Sequence, residues 1–236
     1  MGQKKLLRFA QIKELPNVFE YPTEIAGTWK QQFNNENPIQ LELACGRGEY
    51  TVGLAAMFPL QNFIGIDVKG NRMYLGAKKC LDAAIQNARF LRSQIEMLSD
   101  YFQADEVDEI WITFPDPQLR TSRAKKRLTH PRFLRLYQKV LKQNGIIHLK
   151  TDSPNLYQFT LLVIKKYGLK LMTSCDDVYG QAEIDERLKI KTHYEQLDIA
   201  GSNKIFYIQF LLNSVIPNLD NELQQILKET EHTELS

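Results

Sequence analysis

The feature that most restricts this chain is a regular exchange of short apolar runs with helical ones. Residues 39–44 follow Pro38 as an apolar run, 62–67 form a second, and 88–92 a weaker third. Residues 109–113 and 146–150 make two more. Between them, 49–58 (stopped by Pro59), 72–87, 131–143 and 154–167 carry helical spacing. Pro131 suits a first helical turn, and Gly145 stands just past that helix's expected end. Strands alternating with helices predict an α/β fold, a mostly parallel sheet covered on both faces. Two late runs, 169–174 and 205–212, are separated by a long polar connection with no obvious helix. They predict an antiparallel element at one edge.

At 236 residues and 43% hydrophobic content the chain has enough for one large domain with extensions. The expected division is an N-terminal arm over 1–35, either laid across the domain or loosely ordered, a main domain over 36–215, and an acidic tail over 216–236. Residues 1–15 alternate polar and apolar side chains, unlike a signal peptide, and no run approaches the ~18 apolar residues of a membrane span. Cys45, Cys80 and Cys175 are odd in number and form no C-x-x-C pair. That argues against a disulfide framework and a zinc site, and for a reducing, cytoplasmic setting.

The joint after the first strand is the most informative one. In LELACGRGEY (residues 41–50) a strand runs into Gly46 and Gly48 and then a helix, so the backbone can turn tightly and approach a ligand near a helix N-terminus. Thr51 occupies the third slot of a G-x-G-x-x-G fingerprint. Asp67 ends the second strand about 20 residues on, where an acid can bind a ribose diol or cap the next helix. Glu42 lies inside a strand that should be wholly apolar. A buried carboxylate requires a partner: a lysine, a backbone amide, or a ligand ammonium. An acid there suits the amino-acid end of S-adenosylmethionine better than a dinucleotide pyrophosphate.

The second joint follows the 109–113 run. Asp116 sits between Pro115 and Pro117, which stiffen the loop and remove two amide donors. In open α/β sheets ligands bind beyond the carboxyl ends of the strands, so this loop shares a crevice with Gly46 and Asp67. It is either a stiff turn with a solvated acid or a device for aiming that acid. No acidic residue occurs between Pro117 and Thr151, whereas Arg120, Arg123, Lys125, Lys126, Arg127, Arg132, Arg135, Lys139, Lys142 and Lys150 are cationic. Net charge is only +2, so this distribution is what hints at nucleic acid. The stretch from Arg120 to Arg127 is expected to bind phosphates as a group; Arg132 and Arg135 fit a solvent-facing helix.

Pro115-Asp116-Pro117, the run ending Lys125-Lys126-Arg127-Leu128-Thr129, and Pro131-x-Phe133-Leu134 resemble the signature of bacterial tRNA (guanine-N7-)-methyltransferases. The resemblance extends to Glu42 with the Gly46/Gly48 turn, Gly65-Ile66-Asp67, Lys150-Thr151-Asp152 and Thr192-x-Tyr194-Glu195. It implies a Rossmann-like class I methyltransferase with a seven-stranded, mostly parallel sheet and an antiparallel edge strand. It further implies S-adenosylmethionine as donor and a guanine of the tRNA variable loop as acceptor. On matching positions Glu42, Gly46, Gly48, Asp67, Gln94 and Asp116 would line the donor site, with Asp116 also catalytic. Arg120, Asp152, Thr192, His193, Tyr194 and Glu195 would meet the tRNA. No metal is implied, and monomer and homodimer both stay open. Gln118 and Leu119 stand where the family has Trp-Pro, and Ala44 where it has the first glycine of the turn. A small-molecule methyltransferase and a non-catalytic RNA-binding protein on this fold are the competing readings.

Overall fold

The structure is a computed structural model and describes residues 2–197, 201 and 203–234, excluding the side chains of 2–5 and 230–234. The elements in chain order are α1 (Gly2–Gln11), β1 (Val18–Glu20), α2 (Trp29–Phe33), β2 (Ile39–Leu43), α3 (Glu49–Met57), β3 (Asn62–Asp67), α4 (Gly70–Asp82) and β4 (Ala88–Arg92). There follow α5 (Leu98–Tyr101), β5 (Val107–Thr113), α6 (Pro131–Tyr137), β6 (Leu141–Thr151), α7 (Pro154–Lys166), β7 (Lys170–Cys175), β8 (Phe206–Leu211) and α8 (Asp220–Glu234). Short 3-10 turns punctuate the loops, among them residues 121–126 and 195–197.

All eight strands join one sheet in the order β1-β4-β3-β2-β5-β6-β8-β7. Pairs from β1 to β6 are parallel. The antiparallel strand is β8, which lies between β6 and β7 and runs against both. The count is eight rather than the expected seven because Val18–Glu20 pairs with Phe90–Arg92 and lengthens the other edge. Alternation sorts side chains onto two faces. Ile39, Leu41, Leu43, Ile64, Ile66, Ile110 and Ile112 point into one core, under α2, α5, α6, α7 and α8. Phe63, Trp111 and Tyr207 point into the other, under α3, α4 and the connection after β7.

Residues 12–33 are built into this frame. Trp29 is fully buried, stacks on Phe102 with ring centroids 5.3 Å apart, and donates its indole N–H to the Tyr101 carbonyl. At the other end, α8 folds back so that Asp220 meets Arg135 and the Tyr167 hydroxyl, while Glu222 pairs with Lys166.

Two helices end earlier than their periodicity predicts. The second stops at Asp82, because Ala84 takes a left-handed φ of +53° and the Ile85 N–H closes back onto the Cys80 carbonyl. The third stops at Tyr137, and residues 141–143 belong to β6, whose Leu141 already pairs with Val107. The next pair in that ladder is Glu109 with Ile146, so a bulge containing Asn144 at φ +61° and Gly145 takes up the extra residues.

Candidate active site

Parallel register brings the carboxyl ends of β2 to β6 to one rim: Leu43 beside Ile66 and Ile112, Asp67 beside Arg92, Thr113 beside Lys150. The turn after β2 passes through three left-handed residues, Ala44 at φ +55°, Gly46 at +57° and Gly48 at +72°. Gly48 has a steric as well as a torsional reason to lack a side chain, since a Cβ there would lie 2.5 Å from Phe90. Ala44 bears a torsional cost that a glycine would avoid.

Asp67 secures this turn. Its Oδ2 accepts from the Gly46 N–H at 2.9 Å and its Oδ1 from the Lys69 N–H at 2.8 Å. It thus ties the exits of β2 and β3 together before α4 begins, and the residue is 9% exposed.

Glu42 is 3% exposed. Its Oε2 accepts from the Thr51 N–H (2.8 Å) and hydroxyl (2.6 Å), and its Oε1 from the Thr113 hydroxyl (2.7 Å). Thr51, which spoils the dinucleotide fingerprint, is therefore the residue that receives Glu42. Among the described residues no lysine or arginine pairs with this carboxyl, so the lysine alternative is excluded and the charge is uncompensated. Burial pushes the carboxyl up to about 7, the three hydrogen bonds opposing that only in part.

Asp116 is exposed and its Oδ1 accepts from the Gln118 N–H at 3.0 Å. That closure depends on Gln118 holding φ at +48°, and Phe114 before the first proline is also left-handed, at +47°. The Phe114 N–H meets the Lys150 carbonyl at 2.8 Å, which aligns the Asp116 loop with the 151–153 loop. There Ser153, not Asp152, caps α7, accepting from the Leu156 N–H at 3.2 Å. Gln94 is exposed just beyond β4, on the same rim as Asp67.

The connection after β7 lies across the sheet face where another helix could have packed. Its 192–197 part crosses the glycine turn, and a Cβ on Gly46 would be 3.8 Å from the Tyr194 ring. Arg72 of α4 stands over that ring and His193 packs edge-on to it. Thr192 and Glu195 have local duties: the Thr192 Oγ1 accepts from the Glu195 N–H at 3.1 Å, the reciprocal arrangement of a capping box. The Glu195 carboxylate also pairs with Lys150 at 3.0 Å, the side chains being 5% and 0% exposed, and accepts from the Tyr179 hydroxyl. Lys150 donates further to the Leu188 (2.8 Å) and Ile190 (3.1 Å) carbonyls. It pegs the connection to β6 at Leu188, Ile190 and Glu195. A lysine closing the apolar run 146–150 and buried at the end of β6 was the available sign of this.

The cationic segment divides. Arg120, Arg123, Lys125 and Lys126 are exposed around the 121–126 turn, with no ion pair among the described residues. Arg132 pairs with Glu96 and Arg135 with Asp220. Arg127, grouped with the phosphate binders by sequence, is instead 2% exposed and spends its guanidinium on protein oxygens. Lys150 is likewise removed from the surface. Among the described residues no group of three or more His, Cys, Asp or Glu could hold a metal, and no helix is long and apolar enough to cross a membrane.

A glycine turn, a strand-end acid and an uncompensated buried carboxyl at one rim of a sheet with one inserted antiparallel strand define a class I methyltransferase fold. Solved structures agree on that fold. The 16S rRNA methyltransferase KamB superposes with a TM-score of 0.59 at 15% identity, covering 83% of this chain and 96% of that one. The 16S rRNA (adenine(1408)-N(1))-methyltransferase from Catenulisporales acidiphilia gives 0.57 at 14%, covering 80% and 93%. A methyltransferase family model (Methyltransf_4) matches residues 36–208. A tRNA (guanine-N(7)-)-methyltransferase of Bacteroides fragilis (strain YCH46) is 47% identical over 221 residues, 90% of this chain and 87% of that protein. One of Porphyromonas gingivalis (strain ATCC BAA-308 / W83) is 48% identical over 211 residues, 84% and 86% of the two chains. The chain belongs to the tRNA (guanine-N(7)-)-methyltransferase family.

Proposed function

We propose that this enzyme methylates N7 of a guanine in tRNA, in the variable loop, with S-adenosylmethionine as donor. The observation that carries the reading is convergence. Glu42, Asp67 and the glycine turn occupy one rim with Asp116, which opens directly onto the exposed cations Arg120 to Lys126. A small-molecule methyltransferase leaves those cations without a task.

The residues fit the donor. Glu42, buried with only hydroxyl and amide donors around it, suits the ammonium of the donor's amino-acid end. Asp67 suits the ribose diol, Gly46 and Gly48 allow close backbone approach, and Gln94 stands beside them. When bound, S-adenosylmethionine supplies a methyl on a positively charged sulfur, an electrophile that needs no further activation. Guanine N7 offers a lone pair and bears no hydrogen, so no base has to remove a proton before or after transfer. One N–C bond forms as one S–C bond breaks, and the positive charge moves to the purine.

The protein's task is therefore alignment and charge tolerance. Positioning can account for several kcal/mol of barrier, up to roughly 7–11 in favourable cases. Asp116 accepts from the guanine N1–H and amino group, sets the ring's orientation and supports the cationic product. Asp152 assists from the neighbouring loop, and Tyr194 with His193 offers the base a ring surface. Arg120, Arg123, Lys125 and Lys126 hold backbone phosphates, an attraction that salt weakens. Incubation with unmodified tRNA and labelled donor, followed by borohydride and aniline cleavage, tests this. Scission at one variable-loop guanine is expected; labelling of tRNA without aniline-sensitive scission refutes transfer to N7.

A further inference from the structure

We propose that Arg127 is a positioning residue for the methyl transfer, holding the loop that aims Asp116, and is not one of the phosphate contacts. The inference rests on the reading of Asp116 as the group that orients guanine. The Arg127 Nε donates to the carbonyls of Pro117 (3.2 Å) and Gln118 (3.3 Å). Its Nη2 donates to the carbonyls of Gln118 (3.2 Å) and Leu119 (3.3 Å) and to Asn155 Oδ1 (2.9 Å). The guanidinium plane lies 4.4 Å above the Phe159 ring. Three consecutive carbonyls can converge on one cation only if the chain curls, and the curl is Gln118 at φ +48°. That curl points the Gln118 N–H at Asp116 Oδ1. A planar fork can collect three carbonyls at once, whereas a lysine offers a point charge.

Arg127 also joins two loops. Asn155 and Phe159 belong to α7, which starts two residues after Asp152, so the guanidinium sets the Asp116 loop against the Asp152 loop. Arg120, Arg123, Lys125 and Lys126 of the same run are exposed, while Arg127 at 2% exposure cannot offer its charge to a phosphate without leaving these oxygens. Its charge has no carboxylate partner among the described residues, and burial depresses its pKa. The carbonyl oxygens, Asn155 Oδ1 and the Phe159 ring stabilise it there.

The experiment compares wild type with Arg127→Lys in the full chain through three readouts. These are the single-turnover rate at saturating tRNA and donor, the salt dependence of tRNA affinity, and hydrogen exchange at the Gln118 amide. Expected are a rate lower by about 10- to 100-fold, an unchanged salt slope, and faster exchange at Gln118. Arg123→Ala supplies the reference for a true phosphate contact, its slope falling by about one. An Arg127→Lys slope that falls in the same way, or a rate and exchange equal to wild type, overturns the proposal. If Arg127→Lys does not fold, Asn155→Ala decides. It removes one acceptor at the surface and should slow transfer and speed Gln118 exchange by several-fold; no change overturns the proposal. A wild type that methylates no tRNA refutes the functional reading, and the exchange comparison alone then judges the clamp.

Discussion

Replacing Glu42 by glutamine separates what the fold tolerates from what the donor requires. With its folded pKa raised from 4.5 to about 7, the carboxyl binds its proton more tightly in the native state than in the unfolded one. That contribution is fully present below pH 4.5 and is lost as pH rises through about 7. Integrated, it amounts to about 3 kcal/mol. The amide introduced by Glu42→Gln keeps the acceptor for Thr51 and the shape, but must donate to the Thr113 hydroxyl instead of accepting from it, at a cost of about 1 kcal/mol. Glu42→Gln is thus expected to be slightly less stable than wild type at pH 5 and about 2 kcal/mol more stable at pH 8, by urea unfolding at both. Donor affinity should move the opposite way. Wild type should bind S-adenosylmethionine more tightly from pH 6 to 8, releasing up to one proton in calorimetry across buffers of different ionisation enthalpy. The variant should bind at least tenfold more weakly with no pH dependence. A stability difference that is the same at pH 5 and pH 8 would falsify the assignment of a raised Glu42 carboxyl.

Four other outcomes are expected. Ala44→Gly relieves a left-handed alanine and should raise stability by about 0.5–1 kcal/mol in chemical unfolding with turnover retained. Lys150→Met strands the buried Glu195 and should cost about 3–5 kcal/mol, while Lys150→Met with Glu195→Leu should cost much less than the two changes summed. Trp29→Ala should lose about 3–5 kcal/mol in the same cooperative transition as the rest, showing by calorimetry that the N-terminal segment is part of the folding unit. Asp116→Ala should bind tRNA with nearly wild-type affinity in filter binding and transfer methyl at least tenfold more slowly; equal rates would mean Asp116 orients nothing.

The centre of the sheet was legible because β2 and β3 are buried along their whole length and their ends are marked by Gly46, Gly48 and Asp67. What escaped was set by tertiary contact. Val18–Glu20 is three residues long, too short to show a period, and becomes a strand only because Phe90–Arg92 has an open edge. Ala84 ends α4 in a conformation that nothing in an alanine announces. Among its described residues the polar connection after β7 contains only 3-10 turns, so its course over the sheet depends on Lys150, Glu195 and Tyr179 meeting in space.

Glu42, Lys150 and Arg127 each place a charge where the sequence pattern asks for an apolar or solvent-facing residue, and the three are resolved differently. Lys150 has a carboxylate and two carbonyls, and with them it fastens a segment. Arg127 has only neutral oxygens, four of them, and its cost is offset by the loop geometry those oxygens adopt. Glu42 has three donors and no cation, which leaves it the least satisfied of the three and the one whose charge state a ligand can change. Buried charges whose hydrogen bonds fasten one segment to another mark architecture here, as at Lys150 and Arg127. Glu42, the buried charge proposed to meet the donor, fastens no loop or connection of that kind, which is why removing it should strengthen the fold at pH 8 and weaken the enzyme.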